Sequence, residues 1–206
     1  MKTQPWTLDR TKYLTPVQSK QLSGHCHDRA ELAEVQDKKH GHVEWMVVHL
    51  GLGAGLRVFE IQDVRCSDCH VGYGESHLWV RNGKGGKAAT VIIGKALKKH
   101  LRQYLKLKKA WGEDVSADAH LLVSERKQPF TRNGLQKKFK AVAKRAGLPS
   151  YFSIHCLRHT FGCELLRQTK NLRLVQKQMR HSSITTTTVY ADVCDDEIQG
   201  AMDRME

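Results

Sequence analysis

The sequence predicts a mainly helical α+β domain with one small antiparallel sheet. Three observations carry this. Apolar residues recur at three- and four-residue spacing through most of the chain after Gly94. Two short β-rich runs, 78–80 and 89–93, flank the glycine-rich stretch 82–87 in the manner of a hairpin. With 206 residues, 40% of them hydrophobic, the chain is large enough to bury one real core.

The elements follow in order. Residues 1–13 are polar around a lone Trp6 and read as an arm or linker, leaving a single domain over 14–206. Thr15 and Pro16 mark a helix start, with Thr15 as N-cap and Pro16 in the first turn. Residues 23–42 are highly charged and read as part helix, part loop. Residues 43–52 are apolar, and Gly51, Gly53 and Gly55 predict a break before a second helix near Leu56. The hairpin comes next, its basic tip carrying Lys84 and Lys87. A helix over 96–109 places Leu97, Leu101, Tyr104 and Leu105 on one face with lysines opposite. Further helices are expected over 131–146 (Leu135, Phe139 and Val142 inward), 154–168 (Leu157, Phe161 and Leu165 inward), 172–179, 184–190 and 195–205.

Charge narrows the function classes. Thirty-four Lys and Arg against 21 Asp and Glu leave +13, an excess suited to a polyanion, because neutralising phosphates releases their counterions. No apolar run approaches the roughly 18–20 residues of a bilayer span. The stretch from Met1 to Trp6 lacks the apolar core of a secretory signal, so a cytoplasmic location and no membrane partner are expected. The six cysteines are irregularly spaced. Cys66 and Cys69, followed by His70, make half a zinc pattern, and His25, Cys26 and His27 do not complete it at any common spacing. Reduced thiols are the expectation, and a zinc-built interaction domain is the distant alternative.

Three strings carry chemistry. His155 and Arg158, at i and i+3, share a helix face, and a guanidinium beside an imidazole suits an anion. His155 and His159 have the i, i+4 spacing of a zinc pair, but a zincin needs Glu where Cys156 stands. His181 is followed by a Ser/Thr-rich helix start and, nine residues on, by Tyr190. Arg57 stands just after a glycine turn, with Glu60 three residues beyond it.

Taken with the tip, these strings run Gly55-Leu56-Arg57-Val58-Phe59-Glu60-Ile61, Gly83-Lys84-Gly85-Gly86-Lys87, His155-Cys156-Leu157-Arg158-His159-Thr160-Phe161, and 181–190 from His to Tyr. In this order they resemble the tyrosine recombinase (phage integrase) family, whose catalytic domain carries Arg, Lys, His-x-x-Arg, His and Tyr. The resemblance spans about residues 14–193. It implies that fold, and Tyr190 as the nucleophile that forms a 3′-phosphotyrosine with DNA and releases a 5′-hydroxyl. It further implies Arg57 and Arg158 as clamps on the phosphate oxygens, His155 and His181 as hydrogen-bonding partners, Lys84 as general acid and Glu60 as support. No metal, ATP or other cofactor is implied. The partner is double-stranded DNA, bound by a homo-oligomer, a tetramer, with a monomer expected free in solution.

The chemistry of these residue types agrees. A phenol with a pKa of about 10 needs assistance to attack at pH 7. A phosphorane-like transition state gathers negative charge that fixed cations stabilise better than water does. The leaving alkoxide needs a proton, which a hairpin lysine can supply.

Two departures stand out. Arg180 occupies a position usually held by glycine, often a left-handed helix C-cap. The N-terminal DNA-clamping domain of most family members is not expected within 1–13, so the chain reads either as a catalytic fragment or as one of the small recombinases without the clamp. A type IB topoisomerase-like enzyme and a DNA-binding module with degenerate catalysis are the alternative functions.

Overall fold

A computed structural model of the chain describes residues 8–81, 88–191, 202 and 205. The hairpin tip with Lys84 and Lys87 lies outside the described residues. So does the expected C-terminal helix, apart from Met202 and Met205, which are exposed.

The helices form where capping and periodicity place them. Helix α1 (Pro16–Val35) opens on a capping box in which Thr15 Oγ1 accepts from the Gln18 backbone N–H and the Gln18 side chain accepts from that of Thr15. The charged stretch 23–42 is therefore mostly helix, interrupted only by residues 36–39. Helix α2 (His40–Ala54) runs straight through Gly51 and Gly53 and stops at Gly55, which is left-handed with φ 59°. The glycine run is thus not a break. It allows close packing: a Cβ on Gly51 would lie 2.6 Å from Leu157 Cβ, and one on Gly53 would lie 3.1 Å from Leu97 Cδ2.

Helix α3 (Val58–Asp63) leads through a 3-10 turn at Cys66–Asp68 into the sheet. Strands β1 (Cys69–His70), β2 (His77–Val80) and β3 (Ala89–Ile92) pair antiparallel in the order β1-β2-β3, with Leu78 opposite Val91 and Val80 opposite Ala89. Leu78, Val80 and Val91 face the core while Trp79 and Ile92 face solvent. Cys66 and Cys69 are buried here, and Cys69 Sγ lies 3.6 Å from the Arg65 carbonyl.

Helices α4 (Lys95–Ala110), α5 (Arg132–Arg145), α6 (His155–Thr169), α7 (Leu172–Met179) and α8 (Thr185–Thr188) complete the domain. Their boundaries match the sequence reading to within a residue or two, except that the last is shorter than expected. Helix α2 is the hub, packed by α1, α3, α4, α5 and α6. A second, smaller core cluster joins Tyr13, Leu166, Val175, Met179 and Tyr190, with Phe161 and Leu165 packed against it.

Among the described residues, buried Glu44 and Lys108 each have ion-pair partners. Glu44 on α2 receives Arg29 Nε at 3.2 Å and Arg145 Nη2 at 2.8 Å, tying α1 and α5 to the hub. In α4, Lys108 joins Leu97, Leu101 and Tyr104 on the inward face, where Leu105 is only partly buried. Its ammonium donates to Glu113 Oε2 at 3.0 Å, and Lys39 reaches Oε1 at 3.2 Å. The α2–α4 seam also holds His49 and His100, their Nδ1 atoms 2.8 Å apart and Trp45 stacked on both rings. One Nδ1 must donate and the other accept, so the accepting ring is neutral. Burial holds His49 down at about 4, and burial together with His49 holds His100 down at about 3.

Two outcomes follow. Glu113→Ala, which leaves Lys108 buried without its anion, is expected to cost about 3 kcal/mol in urea denaturation. An unfolded histidine takes up its proton near pH 6.5, whereas this folded pair waits until about 4 or below. Stability is therefore complete above about 6.5 and falls as the pH drops towards 4. A melting series from pH 7.5 to 4.5 should show that fall, and His100→Asn should flatten it.

Candidate active site

Four chain segments converge on one cavity of about 390 Å³, lined by Arg57, His155, Arg158, His159, His181, Ser182, Thr186 and Tyr190. Each arrives by local necessity. Gly55 turns the chain out of α2, so that Arg57 becomes the N-cap residue of α3. The first turn of α6 carries His155, Arg158 and His159 on one side at i, i+3 and i+4. Arg180 reverses the chain after α7 and delivers His181. Tyr190 follows α8.

Arg158 organises the site. It is 5% exposed, and its two outer nitrogens donate to carbonyls at the ends of two helices. Nη1 reaches the Gly55 oxygen at 2.5 Å after α2, and Nη2 reaches the oxygen of Met179, the last residue of α7. Such terminal carbonyls have no partner within the helix and carry partial negative charge, so a guanidinium satisfies both needs. Burial first, then Arg57 and Arg180, pushes its pKa down to about 9. It is still a cation at neutral pH.

Glu60 lies beneath, 3% exposed. Its carboxylate accepts from the Arg57 backbone N–H at 2.7 Å, from Arg57 Nη1 at 2.9 Å and from Arg180 Nη2 at 2.5 Å, with Arg158 Nη1 3.9 Å away. Three guanidiniums thus share one carboxylate, an imbalance that suits an anion in the cavity. Arg180 is the residue that departs from glycine. It does adopt the left-handed conformation, φ 55° and ψ 46°. The strain of about 1–2 kcal/mol accompanies a buried ion pair with Glu60, while burial and the neighbouring Arg57 lower the Arg180 pKa.

The histidines act as neutral rings. Burial, reinforced by Arg158, holds His159 down at about 4. Burial, reinforced by Arg158, Arg57 and Arg180, holds His181 at about 3. His155, exposed at the mouth, is lowered by partial desolvation and by Arg158. His181 Nδ1 lies 2.9 Å from Thr187 Oγ1, which fixes its ring roughly parallel to that of Tyr190.

Tyr190 is 2% exposed. Burial raises its pKa above the ordinary phenol value, while Arg158 and Arg57 draw it back. Its hydroxyl lies 3.1 Å from His159 Nδ1. Its ring rests on Gly162, where a Cβ would lie 2.8 Å from Tyr190 Cε1 and 2.7 Å from Met179 Sδ.

Of the residues expected from sequence, Arg57, His155, Arg158, His181 and Tyr190 meet at the cavity, Glu60 supports it from below, and Lys84 lies outside the described residues. His159, Arg180 and Gly162 were missed as contributors. His159 had a signal, its i, i+4 spacing from His155, which was weighed only as a zinc pair. Among the described residues, the one group of three metal-ligating side chains within reach of a common ion is His27, Asp28 and Glu31, exposed on α1 and not part of the cavity. No helix among the described residues is long and apolar enough to cross a membrane.

Comparison with known proteins places this geometry. The tyrosine recombinase XerC of Yersinia pestis is 34% identical over 138 residues, 67% of this chain and 44% of that protein. XerA of Pyrococcus horikoshii is 30% identical over 159 residues, 77% of this chain and 53% of that protein. The chain therefore spans about half the length of the curated relatives it matches. A crystal structure of XerA recombinase superposes with a TM-score of 0.76 at 25% identity, covering 94% of this chain and 65% of that one. XerH bound to a palindromic difH substrate shares the fold, with a TM-score of 0.75 at 20% identity over 94% of this chain and 53% of that one. Residues 12–197, which include every residue of the cavity, match the phage integrase family, and the chain belongs to it.

Proposed function

We propose that the chain is the catalytic part of a site-specific DNA recombinase that cuts and rejoins double-stranded DNA through Tyr190, as a cytoplasmic enzyme assembling into a homo-tetramer on its substrate. The observation that carries this reading is the phenol of Tyr190 held at the edge of a cavity that Arg57 and Arg158 make cationic. The net charge of +13 and the DNA complexes of the structural relatives support the choice of partner.

In the forward step the Tyr190 oxygen bonds to the scissile phosphorus and the bond to the 5′-oxygen breaks. The products are a 3′-phosphotyrosine and a free 5′-hydroxyl. Arg57 and Arg158 hold the non-bridging oxygens, and because Glu60 fixes the first and two helix-end carbonyls fix the second, they need no reorganisation as charge builds up. His181, neutral, offers its second ring nitrogen as a hydrogen-bond partner, and His155 does the same from the mouth. His159 Nδ1 is placed to accept the phenolic proton. Lys84 supplies the proton to the leaving oxygen, a role that rests on the family resemblance. The phosphotyrosine conserves the ester bond, so rejoining runs the same step backwards without ATP. This residue set requires no metal. Five candidate residues brought to one cavity favour an active enzyme over a degenerate binding module.

Incubation with a nicked suicide duplex in EDTA should give a protease-sensitive DNA adduct that Tyr190→Phe abolishes. An adduct that survives in the variant would assign the nucleophile elsewhere. Gly162→Ala pushes a methyl against the Tyr190 ring, and a misplaced nucleophile costs about 100-fold in rate. The adduct rate of that variant should fall accordingly, with DNA affinity within a few-fold of the wild type in a gel-shift titration.

A further inference from the structure

Helix α4 carries Lys95, Lys98, Lys99, Arg102, Lys106 and Lys109, with no Asp or Glu anywhere in its sixteen residues. At about 100° per residue these six cations fall within an arc of about 100° and extend over about 21 Å of helix. They stand opposite the inward face of Leu97, Leu101, Tyr104 and Lys108. All are exposed except Lys98, which is half-buried. Among the described residues none of them has an ion-pair partner, in contrast to the buried Lys108 with Glu113. Like charges at i, i+3 and i+4 destabilise a helix slightly, so the stripe is a cost to the free protein that a polyanion would remove.

The stripe does not belong to the catalytic cavity. Gly51 and Gly53 lie two residues apart on α2, hence on opposite sides of it, and Gly51 meets Leu157 of α6 while Gly53 meets Leu97 of α4. The catalytic helix and α4 therefore flank the hub on opposite sides, and the cations of α4 face away from it.

We propose that the outer face of α4 binds the phosphate backbone of a DNA segment other than the one in the catalytic cavity. The duplex rises about 3.4 Å per base pair along its axis, so the 21 Å stripe spans about six base pairs and faces the phosphates on the near side. It is built mainly from lysines, with Gln103 at its edge, and suits a contact with the sequence-independent phosphate backbone. The inference rests on the DNA reading given above and extends it to a second segment, such as flanking or partner DNA brought to the same protomer.

The test compares the full chain with a Lys98→Gln, Lys99→Gln, Arg102→Gln, Lys106→Gln variant, using a fluorescent duplex of arbitrary sequence across a series of NaCl concentrations. The proposal expects the slope of log affinity against log salt to shrink by about 3 and affinity near 0.1 M salt to fall by about tenfold or more. It also expects the duplexes bound per protomer to drop from two to one, with adduct formation on a saturating short suicide duplex unchanged. Unaltered slope and stoichiometry would overturn it. So would a parallel loss of adduct formation, which would mean that the stripe serves the catalytic duplex. Failure of the wild type to form any adduct would instead sink the reading of Tyr190, and the binding comparison would still decide the stripe.

Discussion

The structure turns on a buried guanidinium. Arg158 lies at the ends of α2 and α7, and its two outer nitrogens donate to one carbonyl at each, those of Gly55 and Met179. Remove that cation and two helix-end carbonyls lose a buried donor. Because Arg158 also lines the cavity, the group that holds the fold together here is also part of the cavity wall. Glu60 extends the same logic. It attracts three arginines that repel one another. Three guanidiniums against one carboxylate leave a local excess of positive charge, so the cluster gains from a further negative charge in the cavity.

That cluster explains the unusual residue at 180. Glycine there would relax the turn but remove one of the cations around Glu60. Arginine accepts about 1–2 kcal/mol of backbone strain and returns a buried ion pair together with a hydrogen bond to the Gln178 carbonyl at 2.9 Å. The turn still places His181 against Thr187, so the substitution changes the electrostatics of the site more than its shape.

The hub helix α2 positions the remainder. Its glycines let α6 and α4 approach from opposite sides, and its end at Gly55 sets the start of α3 and so the direction of Arg57. Periodicity in the sequence was enough to locate α4, α5 and α7, because each has a clear apolar face, and α5 and α7 also have the side-chain caps Thr131 and Asn171. It failed at α2, which is buried on most sides and therefore shows no polar stripe to mark its phase. Reading its glycines as a break followed from propensity alone. Tertiary contact reverses that preference when a neighbouring helix needs the space.

By itself the sequence determined the fold class, the succession of helices around one hairpin and, through its resemblance to the tyrosine recombinases, which polar residues to expect at one site. Arg57, His155, Arg158, His181 and Tyr190 were legible because each stands in a short string of that pattern. Only the tertiary structure decided how they are held. Arg158 is anchored by carbonyls 103 and 21 residues away, Arg180 is paired with Glu60 across 120 residues, and His159 meets Tyr190 across 31. Local periodicity carries no information about such pairings, since backbone carbonyls look alike at every position and a glycine marks close approach only once its neighbour is known. The opposed placement of α4 and α6 was hidden for the same reason: it depends on which side of α2 each helix packs.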